Sequence, residues 1–410
     1  MAEEYHIALL IESSRVCGRE LLRGIARFAQ IKGNWILYHQ ERSLGDTAPD
    51  WLKSWRGDGI IARIDSKHLL DQVRATRLPT VDTRLLFDVE DIPSVGVDNR
   101  AVARVAVEHL LERRFRHYAA CGFAGVNYSE ERCASFAECA AARGYSVDTW
   151  LGRVSRRART TAIIESRGFS HEEELQDWLM SLAKPVGIFA TNDVRGQQVL
   201  NACRHCGLAV PDEIAVLGVD DDPVICDLCW PPLSSIAFRF EAMGYQAAEV
   251  LDQLMQGRRP AVHRQLVPPH DVVARQSTEV VAIPDTDTAA AVRYIREHAC
   301  EGIDVRDVVG YATCSRSTLE RRFARHLGRT PQAEIVRVRL QRVRQLLTNT
   351  DYSLEVISRI AGFNHVEYMC SLFKKTMGET AGEFRKSLRP KTSTRLLNPS
   401  KHRRAGDGPP

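Results

Sequence analysis

Acids, amides and arginines recur in this 410-residue chain directly after short apolar runs. "HIALLIESSR" ends in Arg15, "LPTVDTR" contains Asp82 and Arg84, "SVGVDN" contains Asp98, "GIFATND" ends in Asn192 and Asp193, and "IAVLGVDDD" carries Asp220 followed by two more aspartates. Short apolar runs bounded by turn residues have the pattern of buried strands, so these side chains mark carboxyl ends, where open α/β sheets bind their ligands. Such a mixture of acceptors and donors suits a hydroxylated, uncharged ligand, because a buried hydroxyl without a partner costs about 1–3 kcal/mol. Phe87, Phe123, Tyr128 or Trp230 would supply an apolar face for a sugar ring. N-capping of helices accounts equally for some of the acids and amides.

Other chemistries fit less well. A glycosidase needs two carboxylates at about 5–9.5 Å in unequal environments, whereas the adjacent Asp220, Asp221 and Asp222 alternate faces if the strand continues through them. No HExxH, no GxSxG and no phosphate-binding glycine loop occurs. A carbohydrate-active enzyme is therefore a remote alternative, and no catalytic residue or cofactor is expected. Eleven cysteines in a chain whose acidic start does not resemble a secretory signal read as reduced thiols. Cys203-x2-Cys206 and Cys226-x2-Cys229 match a zinc-ribbon spacing, yet the first pair falls in the amphipathic run "VRGQQVLNACRHCG" and neither has a glycine-rich knuckle. No metal site is expected from them.

The net charge of +4 hides an asymmetry. Residues 1–285 carry 33 Lys and Arg against 39 Asp and Glu, while residues 286–410 carry 23 against 13. A basic C-terminal third behind an acidic two-thirds points to an anionic partner for one domain only, with double-stranded DNA the leading candidate. No apolar run reaches the ~18 residues of a membrane helix, so a cytoplasmic protein without membrane contact is expected.

The elements that must position these residues follow from periodicity. From Tyr5 to Val273 apolar runs alternate with amphipathic segments such as "RELLRGIARFAQ" and "RAVARVAVEHLLERR". That alternation predicts two α/β lobes with doubly wound parallel sheets. The chain then turns to Thr, Asp and Pro, marking a linker over 276–287, and an all-α domain over 288–390 follows. Helices are predicted over 288–299, 304–311, 315–327, 331–347, 353–360, 365–376 and near 380–387. Residues 391–410, rich in Pro, Ser and Arg, read as a disordered basic tail.

Within the helical domain the sequence repeats itself. At an offset of 49, Val305 matches Leu354, Ala312 matches Ala361 and Ser315 matches Asn364; after one insertion Phe323 matches Phe373 and Gly328 matches Gly378. Each copy, 304–327 and 353–376, reads as a helix-turn-helix with Ser315 or Asn364 as N-cap. Leu319 with Phe323, and Tyr368 or Met369 with Phe373, would bury one face of each second helix. The other face offers Arg316, Ser317, Glu320 and Arg321 in one copy, and His365, Val366, Glu367, Cys370 and Ser371 in the other. Arginine, glutamate and a valine methyl suit guanine, cytosine and thymine edges respectively. Lys374, Lys375 and Arg322 are expected to reach phosphates or solvent.

Two families are resembled. "VGVDNRAVARVAVEHLLERRFRHYAACG" and "GIFATNDVRGQQVLNACRHCGLAVPDEIAVLGVDDDP" look like the effector domain of LacI-type repressors and periplasmic sugar-binding proteins, over about residues 1–275. That likeness implies that Arg132, Asn192, Asp193 and Asp220 contact a sugar, with Arg15, Asp82, Arg84 and Asp98 as further candidates. The usual N-terminal DNA-binding headpiece is not seen. "SRSTLERRFARHLGRTP" and "IAGFNHVEYMCSLFKKTMGETAGEFR" resemble the AraC/XylS family, although Thr313 stands where the first turn usually has Gly and Ala381 replaces a frequent Pro. The order of the two domains is similar to that of bacterial regulators of xylose utilisation. It implies a cytoplasmic transcription activator with D-xylose or a related sugar as effector, DNA and RNA polymerase as partners, and a homodimer.

Overall fold

The apolar runs of the first two-thirds form strands buried on both faces, which is why they read as near-continuous Val, Ile, Leu and Ala. The computed structural model describes residues 4–152, 161–166, 172–279, 285–312 and 314–388. It divides into two compact units, Met1–Pro284 and Asp285–Pro410. The strands are β1 (Tyr5–Leu10), β2 (Trp35–His39), β3 (Gly59–Ala62), β4 (Thr80–Asp82), β5 (Ser94–Val97), β6 (His117–Cys121), β7 (Val147–Trp150), β8 (Val186–Ala190), β9 (Ile214–Asp220), β10 (Ser234–Ala237), β11 (Arg264–Val267) and β12 (Val272–Val273).

Lobe 1 has the strand order β11-β5-β4-β3-β1-β2 with every pair parallel. Lobe 2 has the order β12-β10-β9-β8-β6-β7, parallel except for the antiparallel edge pair of β10 and β12. Apolar clusters cover both faces of each sheet. The runs quoted from the sequence account for β1, β4, β5, β6, β8 and β9. By contrast, β7, β10, β11 and β12 are two to four residues long, and three of them are edge strands, so they carry little periodic signal.

The chain crosses between lobes three times, after β5, after β10 and between β11 and β12. The second crossing feeds helix Phe240–Met255 back onto helix Val16–Lys32 in lobe 1. Glycines let these two helices touch backbone to backbone: a Cβ on Gly24 would lie 1.9 Å from the Glu241 carbonyl oxygen, and one on Gly244 2.1 Å from that of Leu21. These crossings join two sheets whose carboxyl ends face each other.

In the second unit the helices are Thr286–His298, Val305–Ala312, Arg316–Leu327, Pro331–Asn349, Leu354–Ile360, Val366–Met377 and Ala381–Leu388. The side chains of Asp285, Ser315, Thr330 and Ser353 cap their helices by accepting a backbone N–H three residues on. Gly328 and Gly378 close the two second helices in left-handed conformation. The expected cap Asn364 is a correction: His365 occupies the N-cap position without a side-chain bond, so the extra residue lies before the second helix. Thr380 and Glu383 form a reciprocal capping box, and Ala381 takes the first helical position, where Pro is tolerated but not required. The linker is shorter than the expected 276–287, since Ser277 and Thr278 are buried on lobe 2 and Asp285 caps the first helix of the next unit. Thr313 and the tail 391–410 lie outside the described residues.

Candidate functional site: an effector cleft and a helix-turn-helix surface

A cavity of about 310 Å³ opens between the carboxyl ends of the two sheets. Lobe 1 contributes Arg15 after β1, Arg63 after β3 and Arg84 after β4; lobe 2 contributes Tyr128, Arg132, Glu165, Asn192, Asp193 and Asp220. Arg132 is almost fully buried, donating from Nε to Asn99 Oδ1 at 2.9 Å and from Nη1 to the Thr191 carbonyl at 2.6 Å. Its guanidinium also lies 3.7 Å from Asp220 and over the rings of Tyr128 and Phe238 at 5.0 and 5.7 Å. A planar cation fixed on three sides presents its remaining N–H groups in one direction.

Glu165 binds the two lobes together. Its carboxylate accepts from Arg15 Nη2 at 2.6 Å across the cleft, and from the Tyr128 hydroxyl at 2.6 Å and Asn192 Nδ2 at 3.2 Å within lobe 2. Burial first, and then the neighbouring Glu165 carboxylate, pushes the Tyr128 phenol well above its usual value. The phenol therefore remains a donor to Glu165 while accepting from Asn192 at 2.8 Å. A second buried pair, Arg63 Nε with Glu12 Oε2 at 3.0 Å, lies beneath lobe 1's side of the cavity. Neither Glu165 nor this pair follows from the sequence pattern. Glu165 sits on the short helix Thr161–Ser166, outside any apolar run.

The three aspartates after β9 diverge. Asp220 faces the cavity with φ 106°, an uncommon conformation for a residue with a Cβ, costing about 1–3 kcal/mol, and Asp221 follows at φ 52°. Asp193 pins this turn from below: Oδ2 accepts the Asp222 N–H at 2.7 Å and Oδ1 the Ser235 hydroxyl at 2.5 Å. Burial raises the carboxyls of both Asp193 and Asp220 above their usual range.

Two expected contacts are elsewhere. Asp82, buried at the end of β4, accepts the N–H groups of Ile64, Arg84 and Leu85 and so shapes the loop that carries Arg84. Asp98 caps helix Asn99–Glu112 through the Ala101 N–H. Neither lines the cavity, because each carboxylate is committed to backbone donors: Asp98 to the first turn of its helix, and Asp82 to its own loop and to the loop after β3. Of the aromatic candidates Tyr128 is in the cleft, Phe123 lies under the Arg195 guanidinium, Phe87 packs on the lobe 1 core and Trp230 is 72% exposed. None of the eleven cysteines forms a disulfide, and among the described residues no three His, Cys, Asp or Glu side chains are grouped to hold a metal.

In the helical unit Leu319, Phe323, Met369 and Phe373 are buried, whereas Tyr368 is 53% exposed, so Met369 rather than Tyr368 faces inward. Ala361 is buried and Gly362 turns the chain at φ 76°, tight against the backbone of Ala299 and Cys300. Arg316, Ser317 and Arg321 on one second helix, and His365, Glu367, Ser371 and Lys374 on the other, are exposed. Arg316 donates to Glu320 at 2.9 Å, an i,i+4 pair in which each answers the other. Val366 and Cys370 are half-buried against the second unit's core, which leaves less of them for a partner. Arg322 departs from expectation: it pairs with Asp287 at 2.7 Å and Asp285 at 3.7 Å, at the start of helix Thr286–His298.

A two-lobed domain with a polar cleft, joined to paired helix-turn-helix motifs, defines a ligand-responsive transcription regulator. Family models match in chain order: a XylR N-terminal domain over 6–96, a periplasmic binding protein-like domain over 107–278 and a helix-turn-helix domain over 308–387. The chain is 31% identical over 392 residues to the xylose operon regulatory protein of Escherichia coli K12, covering 93% of this chain and 97% of that protein. It is 30% identical to the Haemophilus influenzae protein of the same name, covering 94% and 99%. A solved structure described as the xylose-binding transcription activator XylR superposes with a TM-score of 0.75 at 29% identity, covering 94% of this chain and 99% of that one. The chain belongs to the family of xylose operon regulators, which are transcription regulators and not enzymes.

Proposed function

We propose that D-xylose, or a closely related pentose, closes the two lobes and thereby changes how the helical unit engages promoter DNA. The observation that carries this reading is the ring of convergent polar groups from both lobes, Arg15 and Arg84 facing Arg132, Asn192, Glu165 and Asp220 around about 310 Å³. That volume sits at the small end of ligand pockets, roughly 300–1,000 Å³, and suits one monosaccharide. Charged partners already present in the cleft, Arg15 with Glu165 and Arg132 with Asp220, favour a neutral ligand rich in hydroxyls over an anionic one.

Arg316, Ser317, Glu320 and Arg321, and His365, Val366, Glu367, Cys370, Ser371 and Lys374, make up the DNA surface in this reading. The protein works in the cytoplasm as an activator, as a homodimer that recruits RNA polymerase. Among the described residues no helix is long and apolar enough to cross a membrane. A ligand shifts such an equilibrium only by its differential affinity for the two states. Titration calorimetry against pentoses and hexoses, with DNA affinity measured alongside, tests the reading: selective D-xylose binding that alters DNA affinity supports it. Selective binding of another sugar replaces the effector, and binding of none removes it.

A further inference from the structure

The turn after β9 serves two masters. Asp220 presents its carboxylate to the cavity, while Asp221, joined to it by one peptide bond, accepts from Arg275 Nη1 at 2.7 Å. Both residues have positive φ, and the turn is held by Asp221 N–H to Ser235 Oγ at 3.0 Å and Asp222 N–H to Asp193 Oδ2 at 2.7 Å. A turn with so few conformational alternatives cannot absorb a shift of one carboxylate without moving the other.

Arg275 opens the segment that leaves the sugar-binding unit. Its Nη1 also donates to the Leu233 carbonyl at 3.1 Å, and its backbone N–H to Ser234 Oγ at 2.8 Å. Ser277 Oγ then donates to the Val216 carbonyl on β9 and accepts the Ser234 N–H, and Thr278 Oγ1 bonds Ser234 Oγ. From helix Asn99–Glu112 and its end, His109 bonds Thr278 Oγ1 and Arg113 donates to its carbonyl. All these partners belong to lobe 2 and the helix packed on it. The second unit begins at Asp285, only a few residues further along the chain.

We propose that the Asp221–Arg275 ion pair is a positioning contact that relays sugar occupancy at Asp220 to the segment leading into the DNA-binding unit. The proposal rests on the sugar-responsive reading above. Neither residue lines the cavity, so the pair acts on coupling and not on sugar recognition.

Four full-length proteins test it: wild type, Asp221→Asn, Arg275→Gln and the double variant. Asn is chosen because it tolerates the left-handed conformation. Each is titrated with D-xylose by calorimetry, and its affinity for a DNA fragment selected from random sequence by the wild-type protein is measured with and without D-xylose. In wild type the sugar should change DNA affinity roughly fivefold or more, the usual lower bound for allosteric coupling. Both single variants should bind D-xylose as wild type does and lose most of that change, and the double variant should lose no more than either single, as residues acting through one contact do. Variants that keep the wild-type ratio overturn the relay, whatever they do to thermal stability. If Asp221→Asn does not fold, Arg275→Gln decides alone. A wild-type protein whose DNA affinity ignores every sugar overturns the reading and the relay together.

Discussion

Glu165 and Arg15 meet at 2.6 Å across the cleft, the one from lobe 2 and the other from the loop after the first strand of lobe 1. Glu165 is nearly fully buried, and among the described residues its charge is compensated by Arg15 and by the hydroxyl and amide of Tyr128 and Asn192. Hydrogen bonds to charged groups contribute about 1.5–3 kcal/mol each. Glu165→Gln keeps the shape and removes the charge. It should lower D-xylose affinity by about that amount, as read by calorimetric titration, because the closed lobes lose their latch. An unchanged affinity would show that Glu165 neither touches the ligand nor steadies closure.

Asp220 should exchange stability for binding. Burial pushes its carboxyl above 3.8, outweighing the pull of Arg132. The native protein thus holds this proton more tightly than the unfolded chain, and the group's contribution to stability is full below 3.8 and is lost as pH rises through the raised value. Asp220→Asn, which suits the positive φ, should therefore raise the melting temperature at neutral pH, with the gain fading at acid pH, while D-xylose affinity falls. Melting curves of both proteins across pH check this. A gain that does not vary with pH would assign the effect to something other than ionisation of Asp220.

The sequence exposes the cleft wherever a cavity-lining side chain follows a strand, since the apolar run announces the strand and the next polar residue stands at its end. Arg15, Arg84, Asn192 and Asp220 are legible in that way, and Arg132 through the family resemblance. Asp82 and Asp98 obey the same pattern, yet their carboxylates serve backbone N–H groups instead of the cavity, a difference that spacing cannot express. Glu165 is invisible for the opposite reason: its partner Arg15 is 150 residues distant, and no periodic segment frames it. Helix ends in the second unit fall within a residue or two of expectation because Ser315, Thr330, Ser353, Gly328 and Gly378 are local stop and start signals. The insertion near Asn364 is misplaced by one residue, since two polar residues in a row, Asn364 and His365, both look like caps.

Gly362 should be the weak point of the second helix-turn-helix. Its φ of 76° costs an L-residue about 1–2 kcal/mol. A Cβ there would also lie 2.8 Å from the Ala299 carbonyl oxygen and the Cys300 backbone, a contact that backbone cannot readily yield. Gly362→Ala is expected to abolish DNA binding and to leave D-xylose binding intact, because the lobes have their own cores. Gly378→Ala, with no heavy atom within 4 Å of the added Cβ, should be the milder change. Anisotropy with labelled DNA and calorimetry with D-xylose separate the two effects, and equal losses from both glycines would assign the defect to backbone conformation alone.

Arg316 and Lys374 should differ in kind. Arg316 is held by Glu320 at 2.9 Å near the start of its helix, where residues of a recognition helix reach base edges, whereas Lys374 lies near the end of Val366–Met377. Arg316→Ala is expected to cost about 1–3 kcal/mol on the preferred DNA and to relax selection at a particular base pair. Glu320→Ala should release the arginine and broaden selection with a smaller loss of affinity. Lys374→Ala should weaken binding to all sequences alike and reduce the slope of log affinity against log salt by about 1. Competition binding on DNA libraries, repeated at several salt concentrations, distinguishes these outcomes. If Arg316→Ala changed only the salt slope, its guanidinium would be a phosphate contact, and base reading in the first copy would fall to Ser317 and Arg321.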